Sequence, residues 1–156
     1  MRDAHAGLGM IALRQGRFGE AVANYESELR LQPDEPQLLY LLATSLEKDR
    51  QLDRALVQVQ GLLARDPQHG EGRYLVGKIL MAQGRAAEAL QHLESAAQLR
   101  PGDYNVFYQL GLALQRNGRP QESQRAFERY RSLKENGGAS GDGSAAGDAG
   151  SAGGRP

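Results

Sequence analysis

The chain of 156 residues contains no cysteine and no tryptophan. The absence of cysteine excludes disulfide bonds and thiolate metal sites. Its 19 basic residues are matched by 19 acidic ones, so it lacks the basic excess that is typical of nucleic-acid-binding and membrane-surface proteins. No stretch approaches the ~20 apolar residues of a transmembrane helix, and the opening segment does not resemble a signal peptide. We therefore expect a cytoplasmic protein with neither a nucleic acid nor a membrane as its partner.

The residue types of catalytic and metal sites are scarce and scattered. The three histidines, His5, His69 and His92, are far apart and show no ligand spacing such as HExxH. The glycines recur after predicted helices and not after strands, which is not the context of a phosphate-binding loop. No serine lies in a nucleophile elbow, and no two carboxylates form a convincing catalytic pair. The sequence therefore predicts no enzyme, no metal site and no cofactor.

An internal repeat of 34 residues runs through most of the chain. Pro33, Pro67 and Pro101 are separated by this step, and other positions keep it. The apolar and small positions that keep the step are Leu8, Leu42, Val76 and Leu110; Ala21, Ala55, Ala89 and Ser123; and Tyr25, Val59, Leu93 and Phe127. A turn position is occupied by Gly16, Arg50, Gly84 and Gly118. Because several independent positions share one period, the spacing of the prolines is not a coincidence.

Each of these positions has a structural role. A glycine or alanine follows the leucine position and lets a neighbouring helix approach closely, and the small and large positions of the second helix lie on one face. Glycine ends the first helix in a left-handed conformation, and proline ends the second. The predicted helix pairs are 2–15 with 18–31, 36–49 with 52–65, 70–83 with 86–99, and 104–117 with 120–134. Pro36 and Pro120 suit the first turn of a helix, and Asp103 suits an N-cap.

This pattern resembles that of the tetratricopeptide repeat family, in which a large residue, Leu-Gly, Ala, an aromatic residue and Pro recur every 34 residues. The resemblance covers residues 2–135 and implies an all-α fold, a right-handed superhelix of helix-turn-helix units. It implies one domain, 1–135, with repeats at about 2–35, 36–69, 70–103 and 104–135. Glu135 replaces proline and Ser123 replaces alanine in the last unit, as expected where one face of a terminal repeat meets water.

A change in composition follows Glu135. Residues 136–156 consist mainly of Gly, Ala, Ser and Asp, and such a segment cannot bury enough apolar surface to offset the entropy of ordering. We predict a disordered tail. It is either a flexible linker or a solvated end without a role of its own.

The resemblance places partner binding on the concave face, which the first helix of each pair lines. Tyr40, Tyr74 and Tyr108 share one repeat position and predict a ladder of amphipathic rings. The complete set of candidate groove residues is Met10, Arg14, Tyr40, Thr44, Lys48, Tyr74, Lys78, Tyr108, Leu112 and Arg116. The basic members form a discontinuous edge that could steer an acidic segment. Two alternatives stay open: in one the tyrosines pack against the neighbouring first helix, and in the other the basic residues only complement the helix dipoles.

The resemblance implies an adaptor that binds a peptide or protein segment in this groove. One alternative is structural, in which the chain belongs to a longer solenoid or associates with itself through its repeat ends. An RNA-binding helical repeat is a further alternative, disfavoured by the neutral charge. Some family members hold a C-terminal carboxylate with Lys, Asn and Arg, but the matching positions carry Ala6, Met10, Leu41, Glu71 and Leu75, which disfavours a chaperone co-adaptor.

Overall fold

The computed structural model describes residues 4–137, and these residues form eight α-helices. The helices are α1 (Ala4–Arg14), α2 (Phe18–Leu31), α3 (Pro36–Lys48), α4 (Leu52–Arg65), α5 (Gly70–Ala82), α6 (Ala86–Leu99), α7 (Tyr104–Arg116) and α8 (Pro120–Glu135). The predicted all-α repeat fold is confirmed. Each of the four predicted helix pairs is present, and its ends lie within about two residues of the predicted ends. The predicted tail lies outside the described residues from position 138 onwards.

The turn inside each pair is made by a residue with positive φ. Gly16, Gly84 and Gly118 have φ values of 73°, 75° and 71°, and Arg50 has a φ of 63° at the equivalent position. In the second pair, the amide of Arg50 donates to the carbonyl of Glu47 at 3.0 Å, and the amide of Gln51 donates to that of Leu46 at 2.8 Å. This is the Schellman hydrogen-bond pattern that closes a helix C-terminus. The second pair therefore adopts the glycine turn without a glycine.

The glycine of the Leu-Gly pair marks the closest approach within a helix pair. A β-carbon added at Gly77 would lie 2.5 Å from Leu93 Cγ, and one added at Gly111 would lie 2.7 Å from a ring carbon of Phe127. The second pair carries Ala43 at this position, and its facing residue is the smaller Val59, which is fully buried. The sizes of the two facing residues are thus matched pair by pair.

Successive helices pack in chain order to form one continuous core, from Ala12 to Ala126. Position 42 of the second pair and its equivalents 76 and 110 are buried, with Leu42 only 2% exposed. Leu8, at the same position of α1, is 54% exposed, and Ile11 is 50% exposed. Both are exposed because within the described residues no helix pair precedes α1.

Helix starts follow the predicted capping chemistry. Pro36 and Pro120 occupy the first turns of α3 and α8, where the missing N–H costs no hydrogen bond. The Asp103 carboxylate accepts a hydrogen bond of 3.0 Å from the amide of Asn105, and it also accepts one of 3.1 Å from the guanidinium of Arg100. Both predicted proline positions and the predicted N-cap are confirmed.

Candidate partner-binding face

The first helices of the pairs lie on the inner side of the array. In the described residues the backbone of α5 lies close to those of α3 and α7, whereas no such close approach is found between successive second helices, of which α2 and α4 are joined by the long side chains of Glu26 and Arg54. Helices that converge on one side and spread on the other curve the array towards the converging side. We call the solvent-facing surface of α1, α3, α5 and α7 the concave face. All ten candidate groove residues lie on these four helices.

The three tyrosines that share one repeat position differ in their surroundings. Tyr74 is 5% exposed and therefore offers little surface to a partner. Tyr40 is half-buried, with its ring centroid 5.5 Å from that of His69. Tyr108 is 42% exposed, and its ring lies 5.2 Å from Tyr130 and 6.0 Å from Phe127. Among the three, Tyr108 therefore has the largest exposed fraction.

The other neutral candidates supply apolar and small polar surface. Met10 is 43% exposed on α1, and Leu112 is half-buried on α7. The Thr44 hydroxyl donates to the carbonyl of Tyr40 at 2.9 Å, one turn earlier in α3. Its methyl group thus remains the part of the side chain available for a contact. These residues place apolar atoms between the cationic ones.

The four cationic candidates occupy different environments. Arg14 and Arg116 are exposed, and Lys48 is half-buried. The Arg116 guanidinium donates to the carbonyl of Met81 at 3.3 Å, which ties α7 to the preceding pair. The Lys78 ammonium lies 3.5 Å from the Glu47 carboxylate and links α5 to α3. Two of the four cations thus also join neighbouring repeats.

Charge is sorted between the two classes of helix although the chain as a whole is neutral. The first helices contain the basic residues Arg14, Lys48, Arg73, Lys78 and Arg116 and the acidic residues Glu47 and Glu71. The second helices contain nine acidic residues, including Glu20, Glu26, Glu88, Glu94 and Glu122, and seven basic ones, so their net charge is negative. The side chains of Glu47 and Lys78 neutralise each other, so the concave face carries a net positive charge.

The histidines have local structural roles. His69 caps α5, with its Nδ1 accepting a hydrogen bond of 2.9 Å from the Gly72 amide. His92 lies beside Arg73, and burial, followed by the charge of that arginine, lowers the pKa of His92. Within residues 4–137 no group of three His, Asp or Glu side chains is placed to hold a metal ion. No helix in the same range is both long and apolar enough to cross a membrane.

Sequence reasoning did not identify an aromatic cluster at the C-terminal end of the array. The cluster consists of Tyr104, Tyr108, Phe127 and Tyr130, with ring centroids 5.2–6.0 Å apart. The ammonium of Lys134 lies 5.4 Å from the ring centroid of Tyr130 and donates to its hydroxyl at 3.1 Å. The signal was available, because tyrosines at positions 104 and 108 lie one turn apart on one face of a helix.

Comparisons with known proteins agree with this architecture. Two models described as tetratricopeptide repeat match the chain, one over residues 6–60 and 40–104 and the other over residues 80–137. A protein of Caenorhabditis elegans, BBSome complex member bbs-4, is 28% identical over 124 residues, which are 78% of this chain and 26% of that protein. The chain thus spans about a quarter of the length of that relative.

Solved structures of MamA have the same fold. MamA from Desulfovibrio magneticus RS-1 superposes with a TM-score of 0.77 at 24% identity, covering 84% of this chain and 74% of the other. Another MamA crystal structure superposes with a TM-score of 0.75 at 18% identity and covers 84% and 77% of the two chains. At these identities the likeness shows the shared helical-repeat fold.

Proposed function

Because the chain belongs to the tetratricopeptide repeat family, we propose that it is an adaptor that binds an acidic peptide or protein segment on its concave face. Members of this family serve in general as protein-interaction modules, and the relative bbs-4 is by its name a member of a protein complex. What supports the acidic character of the partner is the sorting of charge. The first helices carry a net positive charge and the second helices a net negative one, which attracts a negatively charged segment to the side of the first helices.

The arrangement of the concave face suits an extended segment. Arg14, Lys48 and Arg116 are the cations on this face with solvent-accessible side chains that do not face a carboxylate at salt-bridge distance. Met10 and Tyr108 place exposed apolar surface beside two of these cations. An acidic segment with apolar residues between its carboxylates would therefore match both the charge and the apolar surface.

The test is selection from a random peptide library displayed on phage, followed by fluorescence anisotropy with a synthetic peptide of the enriched sequence. We expect enrichment of acidic peptides, with an affinity that falls as salt is raised. The double variant Arg14→Gln/Lys48→Gln should bind about 3- to 10-fold more weakly, as is typical when exposed charges at an interface are removed.

The matched control is Arg30→Gln/Arg125→Gln, which removes two exposed cations from second helices. It should bind the selected peptide as the unmodified protein does. If both variants lost the same affinity for the peptide, the effect would come from the overall charge of the protein and not from the concave face. If both retained their affinity, recognition would lie outside the concave face. Single-stranded RNA that competes with the peptide would transfer the proposal to a nucleic-acid partner.

A further inference from the structure

The two ends of the array carry the two halves of an inter-repeat interface, and we infer that the protein associates head to tail with further copies of itself. The N-terminal face is defined here by Leu8, Ile11, Arg14, Gln15 and Arg17. The C-terminal face is defined by the aromatic cluster together with Gln115, Pro120 and Glu128. The observations that support this inference are separate from those that support peptide binding, although Arg14 and Tyr108 belong to both surfaces.

The apolar part of the N-terminal face is equivalent to surface that is buried between repeats. Leu42, Val76 and Leu110 occupy the position of Leu8 and are 2%, 1% and 9% exposed, against 54% for Leu8. The position of Ile11 is occupied in the later repeats by residues that are fully buried, namely Ser45, Ile79 and Ala113. In every later repeat a helix pair precedes these positions, whereas among residues 4–137 no helix pair precedes α1, which leaves the same surface exposed.

The C-terminal face presents the complementary half. Tyr130 occupies the position of Glu28, Leu62 and Ala96, all three of which are fully buried in repeats that another helix pair follows. Tyr108, at the position of the 5%-exposed Tyr74, is 42% exposed. Aliphatic side chains at one end and aromatic rings at the other are a combination that packs well.

Polar contacts of the junction between the third and fourth pairs give a second, independent argument. At that junction Arg116 donates to the carbonyl of Met81 at 3.3 Å, and Arg119 Nη1 donates to the carboxylate of Glu94 at 3.2 Å. The side-chain amide of Asn117 donates to the carbonyl of Ala86 at 3.0 Å. These three contacts hold the fourth pair in register on the third.

Equivalent contacts between two copies are found by replacing each residue of this junction with the residue at the same repeat position in the first or the fourth pair. The donors are taken from the first pair of the next copy, and the acceptors from the fourth pair of this copy. The donors Arg116, Asn117 and Arg119 become Arg14, Gln15 and Arg17 of the next copy, so each donor type is kept. The acceptors become the carbonyls of Gln115 and Pro120 and the carboxylate of Glu128. Arg17 pairs with Glu20 through Nη1 and donates from Nε and Nη2 to the side chain of Gln15, whereas Arg119 pairs with Glu122 through Nε and Nη2 and uses Nη1 for Glu94. The Arg17 guanidinium must therefore turn to make the contact with Glu128.

The helices leave space for this arrangement. If the next copy continues the 34-residue repeat as a fifth pair, its Ala4 takes the place of position 140 of this chain. Helix α8 ends at Glu135, so four positions separate the two helices. The interval is similar to that between Leu99 and Tyr104 at the internal junction. Two positions of α8 are less favourable than their internal equivalents, since Gln124 stands for Leu56 and Arg131 for Leu63. The contact between copies is therefore weaker than an internal junction.

Sedimentation velocity across a concentration series tests the inference. Because a heterologous contact does not close on itself, the weight-average sedimentation coefficient should keep rising between about 5 and 500 µM without a plateau at the dimer. Leu8→Glu and Tyr130→Glu, each of which removes one face, should both be monomeric over this range. Mixing the two variants should restore a single interface and give a 1:1 complex that grows no further.

Control variants distinguish head-to-tail association from other modes of self-association. Val57→Glu changes a side chain that is 64% exposed on α4, away from both faces, and should associate like the unmodified chain. Arg17→Glu should weaken association at least threefold, and Glu128→Arg in the same chain should restore it. Helicity by circular dichroism should be unchanged in every variant. A chain that stays monomeric at 500 µM, a Tyr130→Glu variant that dimerises alone, or a mixture that fails to pair would overturn the inference.

Discussion

Replacing Arg50 by glycine should stabilise the protein, and the structure allows the size of the gain to be worked out. Arg50 has a φ of 63°, and the other three repeats use glycine at this position. The left-handed conformation costs an L-residue about 1–2 kcal/mol. Substitution by glycine removes this cost, but the greater freedom of glycine in the unfolded chain offsets about 0.4–1 kcal/mol of the gain in stability. Loss of a cation near the end of α3 offsets about 0.3 kcal/mol more. The net gain is about 0.5 kcal/mol.

Arg50→Ala is the matched control, because it removes the same charge but keeps a β-carbon. The comparison of Arg50→Gly with Arg50→Ala isolates the backbone term, and glycine should be the more stable by about 0.5–1 kcal/mol. Urea unfolding followed by circular dichroism at 222 nm measures the difference, and the melting temperature should differ by about 2–4 °C. Gly84→Ala should lose stability by a similar amount. An Arg50→Gly protein no more stable than Arg50→Ala would refute the reasoning.

The packing of the helices leads to four further predictions. Gly77→Ala should destabilise by about 1–2 kcal/mol because its β-carbon meets Leu93, and adding Leu93→Val, which copies the Ala43–Val59 pair, should recover part of the loss in denaturant unfolding. The Tyr25 hydroxyl is buried and has no hydrogen-bond partner among residues 4–137, so Tyr25→Phe should be neutral or stabilising by about 1 kcal/mol. Burial raises the pKa of Tyr25 from 10 to about 12, so between these pH values the Tyr25 hydroxyl loses its proton in the unfolded chain but keeps it in the folded one. The free energy of unfolding should therefore fall between pH 10 and 12, and it should fall less in Tyr25→Phe. In dilute protein, amide hydrogens of α1 should exchange faster than those of α3 to α7, because within the described part of the chain helices pack against α1 on one side only; slower exchange in α1 would contradict this.

Most of the fold could be predicted from the sequence because of the 34-residue repeat. Helix ends were predictable because they depend on local chemistry: a residue with positive φ after the first helix, proline after the second, and Asp103 or Pro36 at a helix start. Even the exception at Arg50 could be placed, because three glycines at the same repeat position indicate what the backbone must do there.

The surroundings of the tyrosines could not be predicted in the same way. Tyr74 and Tyr108 occupy one repeat position, yet they are 5% and 42% exposed. The difference depends on whether a further helix pair follows, which is a property of the array and not of the residue or its neighbours in sequence. The same holds for Leu8, whose equivalents are all buried. A repeat position predicts which face a side chain points to, and its place in the array decides whether that face is covered.

The two proposals are linked through the first helices. In a head-to-tail assembly α7 of one copy and α1 of the next are neighbours, as α5 and α7 are within a chain. The cations Arg116 and Arg14 then continue one basic face across the junction. An acidic peptide long enough to span the junction would bind the assembled form more tightly than the monomer, and by reciprocity it would strengthen assembly by the same factor. Addition of such a peptide should therefore lower the concentration at which the sedimentation coefficient rises, and a peptide too short to span the junction should not. Leu8→Glu should bind the short peptide normally and show no such coupling, because it retains the concave face and lacks the junction.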